Sequence, residues 1–337
     1  MVVMNPAGDV ALQQRNLVIF ATVLMLVIVL PVIALVALFA WKYRASNQAA
    51  RYEPDWDLST QLELVIWAAP LLIVICLGAV TWTGTHLLDP YRPIERIAKG
   101  RPVAADARPL EVQVVALDWK WLFIYPEYGI ATVNELAAPV DRPIRFRLTA
   151  SSVMNAFYVP TLAGMIYAMP SMETKLHAVI NKPGNYAGFS SNYSGAGFSG
   201  MRFRFLGLDD AGFAAWVARN HAATGTLSRN VYLTLERPTE TVPVMRFGTV
   251  APGLFDAVVN RCVAPGTPCM RDMMHRDHGS MAGMEGHAGH APAAPTGPVS
   301  PLTTTGAGGP APARPADIRQ RGPSAPERST TPKQPAL

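Results

Sequence analysis

Two long apolar runs open the chain. Leu17 to Trp41 covers about 25 residues without a charge, interrupted only by Pro31. A hydrocarbon core of about 30 Å needs about 20 helical residues, so this run predicts a membrane span. It is too long for the apolar core of a signal peptide, and no A-x-A cleavage site follows it. Trp41-Lys42-Tyr43-Arg44 closes it like a stop-transfer segment. A second run extends from Leu64 to Leu88, with Pro70 in its first turns and Trp67 and Trp82 towards its ends. The two runs predict a helical hairpin. Lys42, Arg44 and Arg51 lie in the connecting loop, whereas the tail carries only Arg15, opposed by Asp9. By the positive-inside rule the loop is cytoplasmic and both termini are periplasmic. Arg92, Arg96, Lys99 and Arg101 point the other way, but they belong to a long translocated domain, for which the rule counts little.

From about residue 109 the period changes to two. Ile144, Phe146 and Leu148 alternate with Arg145 and Arg147, one face buried and one wet. Val112–Leu117, Thr174–Ile180 and Met201–Phe205 behave similarly. Turn signals separate these segments at Pro126, Asp141-Arg142-Pro143, Asn181-Lys182-Pro183-Gly184 and Gly195-Ala196-Gly197. Short strands at this spacing predict a β-sandwich or Greek-key barrel. Asp209-Asp210 then caps a helix with Phe213, Trp216 and Val217 on one face, and a shorter helix follows from Leu254 to Arg261. Beyond about residue 265 the apolar periodicity is lost. Ala291 to Leu337 is rich in Pro, Ala, Gly and Thr, a composition that buries too little surface to offset ordering entropy, so a disordered tail is expected.

Composition agrees with a membrane protein: 50% of residues are apolar and only 16% are charged. The net charge of +5 is too mild and too scattered to argue for nucleic acid. Of three cysteines, Cys76 lies in an apolar run and reads as an inert thiol. Cys262 and Cys269 flank a Pro/Gly-containing loop. They form a disulfide if that loop is periplasmic and the geometry permits, and spacing alone decides neither.

Three blocks carry a resemblance. Leu117-Asp118-Trp119-Lys120-Trp121-Leu122-Phe123-Ile124-Tyr125-Pro126-Glu127 resembles the aromatic segment of cytochrome oxidase subunit II. Ser152-Val153-Met154-Asn155-Ala156-Phe157-Tyr158-Val159-Pro160 and Ser190-Ser191-Asn192-Tyr193-Ser194-Gly195-Ala196-Gly197-Phe198-Ser199-Gly200-Met201 follow in the family's order. With the hairpin they cover about residues 10 to 262, and the resemblance is closest to subunit II of bo-type ubiquinol oxidases. It implies a membrane α+β fold. A periplasmic tail (1–16), a first span (17–41), a cytoplasmic loop (42–63) and a second span (64–88) come first. A linker (89–108) leads to a periplasmic cupredoxin-like Greek-key β-barrel or sandwich (109–208). A helical and aromatic extension (209–264) and a disordered tail (265–337) complete the chain.

The third block carries the chemistry. In cytochrome c oxidases the loop resembles C-x-E-x-C-x3-H-x2-M, and with a further His in the preceding block it holds a dinuclear copper centre. Here the cysteine positions are Ser190 and Ser194, the glutamate is Asn192, the histidines are Phe198 and Asn155, and only Met201 matches. Serine hydroxyls are poor copper ligands and a lone thioether does not hold a copper pair, so no metal is expected in the domain. Without that relay the resemblance implies a quinol, not cytochrome c, as reductant. The haems and a single copper are then expected in a partner catalytic subunit, alongside further small membrane subunits. This chain is then a structural subunit of a proton-pumping ubiquinol oxidase in the bacterial inner membrane, with no catalytic residue of its own. Asn192 also puts in doubt an interface magnesium that a carboxylate binds in the copper-bearing relatives. The bo-type relatives carry a lipidated cysteine after a signal. Met1-Val2-Val3-Met4-Asn5-Pro6 has none, which leaves a misplaced start, a trimmed sequence or an unlipidated member.

Other residues have two readings each. Trp119 and Trp121 invite an electron-entry reading by the resemblance, since the copper-bearing relatives use an aromatic in this segment for cytochrome c, but as i and i+2 on a strand they share one face and suit packing. Thr60-x-x-Glu63 fits a capping box at the start of the second span, while the resemblance makes Glu63 a proton-uptake residue. Met270, Met273, Met274, His275, His278, Met281, Met284, His287 and His290 make a Met/His-rich stretch. It reads either as a solvated tail or as a copper-sequestering arm, since thioethers suit Cu(I) and imidazoles suit copper or zinc. The second reading supports an alternative function, a membrane-tethered periplasmic copper-binding protein. His86, His177 and His221 are expected to be structural.

Overall fold

The computed structural model describes residues 2–276 apart from 52, 53 and 55. Two helices lead, α1 (Asp9–Lys42) and α2 (Thr60–Leu87). Both are apolar on all sides; Leu30, Val36, Leu71, Val74 and Trp67 are among many large side chains standing free on their surfaces. A helix without a polar face has no place in water, so these are membrane spans. Helix α1 starts at Asp9, not at Leu17, so half of the expected N-terminal tail is helical. The Asp9 carboxylate lies in the first turn, where the helix dipole favours an anion. It accepts from Gln13 Nε2 at 2.7 Å and from Arg96 Nε at 2.9 Å.

The expected linker folds as a small ribbon, β1 (Arg96–Ala98) and β2 (Arg101–Pro102). The domain proper follows with β3 (Leu110–Leu117), β4 (Lys120–Tyr125), β5 (Ile130–Val133), β6 (Glu135–Pro139), β7 (Pro143–Ala150) and β8 (Asn155–Tyr158). It continues through β9 (Ile166–Ala168), β10 (Thr174–Val179), β11 (Gly184–Ser190) and β12 (Arg202–Leu208). The C-terminal extension holds α3 (Asp210–His221), β13 (Thr226–Leu227), α4 (Arg229–Glu236), β14 (Met245–Phe247), β15 (Thr249–Val250) and α5 (Leu254–Val259).

One sheet has the order β10-β7-β3-β4-β5-β14, the other β6-β12-β11-β8-β9. Pairings are antiparallel in both sheets except β3 with β7 and β6 with β12. These crossovers make the sandwich a cupredoxin-like Greek key. Between the sheets Trp121, Phe123, Phe146, Phe157, Phe203 and Phe205 are buried, and the Phe157 and Phe203 rings stack at 5.3 Å. The outer face of β3 and β4 is covered too: Val115, Leu117, Leu122 and Ile124 pack against Leu227, Tyr232, Leu254, Phe255 and Val258 of the extension. A strand covered on both faces loses the wet-dry alternation, which is why β4 reads as an unbroken apolar run.

The predicted α3 is confirmed, with Asp209 Oδ1 accepting from Gly212 N at 2.8 Å and Phe213, Trp216 and Val217 buried. Cys262 and Cys269 form a disulfide. This corrects the start of the expected disordered tail. The chain from 265 to 269 is tied to buried Cys262, and residues 270–276 add a further helical segment. The remainder, 277–337, lies outside the described residues.

The N-terminal segment is sewn to the sandwich. Ala7 N and Gly8 N both donate to Thr161 O at 2.9 Å, Asn181 N donates to Ala7 O at 2.8 Å, and Gly8 bridges to Ile180. A Cβ at Gly8 would stand 2.4 Å from Val179 O, so only glycine permits this approach.

Candidate functional site

The loop after β11 gathers the residues that stand at the family's copper positions. Ser190 closes β11 and Asn155 opens β8, and both are buried. Ser190 Oγ lies 3.2 Å from Asn155 Oδ1 and 3.2 Å from Asn192 O, and Ala156 N donates to it at 3.4 Å. Asn155 Nδ2 donates to Val153 O at 3.1 Å. Asn192 turns its amide to Met154 O at 3.1 Å. Ser194 Oγ is buried without a hydrogen-bond partner among the described residues. Phe198 sits in a short 3₁₀ turn with its ring edge-on to Tyr193 at 5.7 Å. Met201 is buried in the sandwich core, and its carbonyl accepts from Ser190 N at 3.2 Å.

The structure thus brings Ser190, Asn155 and the Asn192 carbonyl together and directs the other side chains elsewhere. What they form is a neutral hydrogen-bonded cluster. It offers no thiolate and no imidazole, so these residues do not fit a dinuclear copper centre.

Trp119 corrects an expectation. It does not share a strand face with Trp121: it occupies the turn between β3 and β4 at φ +65°, while Trp121 is in the core. A residue at positive φ breaks the strand alternation, so the i, i+2 argument does not apply. The indole lies over the 194–197 loop and donates from Nε1 to Ser194 O at 3.1 Å. Gly195 has φ +114°, and a Cβ at Gly197 would stand 2.5 Å from Trp119 Cδ2. The packing reading of Trp119 therefore has a concrete form, a lid clamped on the loop.

Glu63 is exposed in the first turn of α2. The capping box expected at Thr60 is not formed: Ser59 is the N-cap, Thr60 lies inside the helix, and no side chain bonds the helix start. The boundary fell one residue early, which moves the Glu out of the position that reaches back to the cap. Glu63 has no side-chain partner among the described residues.

Of the Met/His stretch, Met270, Met273, Met274 and His275 fall in the 270–276 helix; His278, Met281, Met284, His287 and His290 lie outside the described residues. His86 Nδ1 is 2.8 Å from Trp82 O within α2, and His177 Nδ1 is 3.1 Å from Pro90 O, a contact between β10 and the segment that follows α2. Burial, with smaller contributions from Arg145 and Lys175, holds the His177 imidazole below its usual value despite the Pro90 bond.

Sequence reasoning missed three charged residues that organise the domain. Buried Lys120 donates from Nζ to Arg237 O at 2.8 Å and Thr239 Oγ1 at 2.6 Å, fixing the end of α4; burial holds its ammonium below the usual lysine value. Buried Glu135 accepts from Arg246 at 2.8 Å and from Trp216 Nε1 at 3.1 Å. Arg147 binds Glu173 through two hydrogen bonds, at 3.0 and 2.7 Å, reaches Glu111 at 3.2 Å, and stacks over Phe255 at 5.0 Å. The available signal was a lone charge within an apolar strand, as at Lys120 between two tryptophans.

The family described as cytochrome c oxidase subunit II, periplasmic domain, matches residues 129–205, and the COX aromatic rich motif matches residues 221–266. The chain is 47% identical over 283 residues to cytochrome bo(3) ubiquinol oxidase subunit 2 of Pseudomonas aeruginosa, covering 84% of this chain and 81% of the relative. It is 47% identical over 257 residues to ubiquinol oxidase subunit 2 of Acetobacter aceti, covering 76% of this chain and 81% of the relative. Among solved structures, the periplasmic domain of subunit II of cytochrome oxidase from Bradyrhizobium japonicum aligns with 35% of this chain and 94% of its own, at 25% identity and a TM-score of 0.32.

Proposed function

Because the chain belongs to the ubiquinol oxidase branch of the cytochrome oxidase subunit II family, we propose that it is the redox-inactive second subunit of a proton-pumping oxidase that takes electrons from ubiquinol. Such a complex is a quinol:oxygen oxidoreductase. The observation that carries the reading is the Ser190–Asn155–Asn192 cluster: the loop keeps its place in the fold, but its donors are neutral oxygens and amides. An electron arriving from a soluble cytochrome c has nothing to reduce here. A quinol dissolved in the bilayer delivers its electrons directly to the catalytic subunit, which is expected to hold the haems and a single copper. The apolar surfaces of α1 and α2 suit burial against that subunit, further small membrane subunits and lipid. The reading places the complex in the bacterial inner membrane. The charge of Lys42, Arg44 and Arg51 supports a cytoplasmic loop, and the Cys262–Cys269 disulfide supports a periplasmic domain.

Glu63 has a proton-uptake role in the same reading. Its support is that the carboxylate is exposed at the loop end of α2 and is not used as a cap. The membrane-tethered copper-binding protein is the weaker function, because it gives no reason for the hairpin and the aromatic blocks.

The test is oxygen consumption by the purified complex. Ubiquinol is expected to sustain turnover and reduced cytochrome c is not. Comparable rates with both would overturn the proposal.

A further inference from the structure

Where α1 starts and α2 finishes, the two spans meet the sandwich around a cleft of about 230 Å³. Asp89, Arg92, Glu95 and Arg96 line it, together with Gln13 and His177. Internal bonds hold these side chains in place. Gln13 Nε2 and Arg96 Nε both donate to Asp9 Oδ2, at 2.7 and 2.9 Å, and Arg92 Nη2 donates to Glu95 Oε1 at 2.6 Å. None of the four charges is used up. Among the described residues both Nη groups of Arg96 and Oε2 of Glu95 have no partner. Asp89 uses only Oδ1, which accepts from Tyr91 N at 2.9 Å. The cleft thus presents two positive and two negative groups. His177 adds no charge near neutral pH, because burial holds its imidazole below the ordinary value. A lining balanced in this way suits a ligand that carries both signs.

The cleft opens into the membrane-spanning part. Gln13, Leu87 and Leu88 also line a second hollow of about 460 Å³, which lies between Leu17 of α1 and Ala79, Val80, Thr83 and Gly84 of α2. These α2 residues recur at helical spacing and share one face with Leu87. The Thr83 hydroxyl donates to Ala79 O at 2.9 Å, so it is satisfied within its own helix. A charged mouth at the end of the spans, continuous with an apolar groove at bilayer depth, has the profile of an amphiphile. An uncharged quinone ring would leave the four charges of the mouth unanswered, whereas a zwitterionic head answers both signs.

We propose that the cleft and groove together bind one phospholipid with an amine headgroup. Its phosphate lies at Arg92 and Arg96, its ammonium at Asp89 and Glu95, and one acyl chain in the groove beside Ala79. Because Leu176 and His177 of the sandwich also line the cleft, the lipid joins the hairpin to the domain.

The test uses the purified full-length chain in a non-ionic detergent, offered dioleoyl phosphatidylethanolamine, dioleoyl phosphatidylglycerol or decylubiquinone. Native mass spectrometry counts the bound molecules. Wild type is expected to bind one phosphatidylethanolamine, with an affinity at least about tenfold above that for phosphatidylglycerol. Arg92→Gln/Glu95→Gln removes one charge of each sign from an exposed pair, which contributes little to stability, and is expected to erase that preference. Ala79→Phe fills the groove and is expected to weaken phosphatidylethanolamine by at least about tenfold. Val74→Phe makes the same change at an exposed position of α2 outside the groove and is expected to bind like wild type. Thermal unfolding like that of wild type reports that each variant is folded. Equal or tighter binding of phosphatidylglycerol overturns the zwitterionic head, and displacement of the lipid by decylubiquinone overturns the lipid as occupant. An unchanged preference in the double Gln variant, wild-type affinity in Ala79→Phe, or loss of binding in Val74→Phe overturns the site.

Discussion

Arg147→Met removes the charge that ties β7 to Glu111 of β3 and to Glu173 ahead of β10, and that stacks on Phe255 of the extension, while leaving a side chain of similar reach. The paired bonds to Glu173 join two side chains that are 21% and 24% exposed. Charge-assisted bonds of this partly buried kind contribute about 2–3 kcal/mol together. The single contact to Glu111 at 3.2 Å adds less than about 1 kcal/mol, and stacking on Phe255 about 0.5–1 kcal/mol. Asp256 lies at 3.5 Å and is mostly exposed, so we assign it nothing. Some of the loss returns as buried apolar surface of the methionine, which leaves about 3 kcal/mol. Most of the cost falls on the sandwich, where Glu173 and Glu111 lie, and amide hydrogen exchange across 143–150 and 173–179 is expected to speed up by about 10²-fold, whereas α5 loses only the Phe255 contact and 254–270 is expected to speed up by less than about tenfold. Exchange in β4 and β5 is expected to change far less. The pH dependence supplies a second readout. Glu173 titrates below its ordinary value near 4.5, chiefly because Arg147 hydrogen-bonds its ionised form. A carboxyl lowered in the folded state contributes stability that is complete above the unfolded value and is lost as pH falls through the folded one. Wild-type protection of β7 and β10 is therefore expected to decline on acidification below about pH 4.5, and the Met variant is expected to lack that step. Unchanged exchange in 143–150 and 173–179, or the same acid step in both proteins, would refute the role given to Arg147.

Three further outcomes follow from the site. Glu63→Gln and Glu63→Ala are both expected to slow oxygen consumption severalfold with normal haem content. With no cap bond to lose, Ala costs only the dipole contribution, about 0.3–1 kcal/mol; wild-type turnover of the Gln variant in proteoliposomes would retire proton uptake. The wild-type chain is expected to give no purple mixed-valence copper signal, whereas Ser190→Cys, Ser194→Cys, Asn155→His and Phe198→His combined are expected to give one, read by electron paramagnetic resonance; silence in the combined variant would show that the loop geometry is lost. Gly197→Ala is expected to displace Trp119 at a cost of about 1–3 kcal/mol, visible in near-ultraviolet circular dichroism, and to be less than additive with Trp119→Ala; strict additivity would mean that the indole is no lid.

The elements that a single period announces were legible. The Leu17–Trp41 and Leu64–Leu88 runs, the alternation at 144–148 and the Asp209 cap all lie where hydrophobic pattern and capping chemistry put them. Ser190 and Asn155, far apart in the chain and paired in the sequence reading only by the resemblance, do meet in the fold. What the pattern could not show depended on contacts distant in sequence. Helix α1 begins early because Asp9 finds Arg96 and the sandwich, and neither partner is visible from within the run. Trp119 left the strand through a positive φ, which no apolar period encodes. The Thr60 cap failed by one residue, the scale at which helix boundaries are least determined. The first part of the expected tail is ordered because a disulfide, not apolar packing, holds it; spacing had left that bond open.

The seam at Ala7 and Gly8 sets an order of events in biogenesis. These residues lie ahead of both spans, yet they pair with Thr161 and Ile180 deep in the sandwich. The earliest part of this segment to be synthesised is thus among the last to find its place. The sandwich cannot close its seam until the N-terminal residues and the domain have reached the same side of the bilayer, and insertion of the hairpin must precede that closure. A chain whose first span enters in the wrong orientation strands Ala7 and Gly8 across the membrane from their partners. It leaves the Thr161 carbonyl and the Ile180 edge without the backbone partners that Ala7 and Gly8 supply. Correct topology is therefore written into the finished fold as a checkpoint.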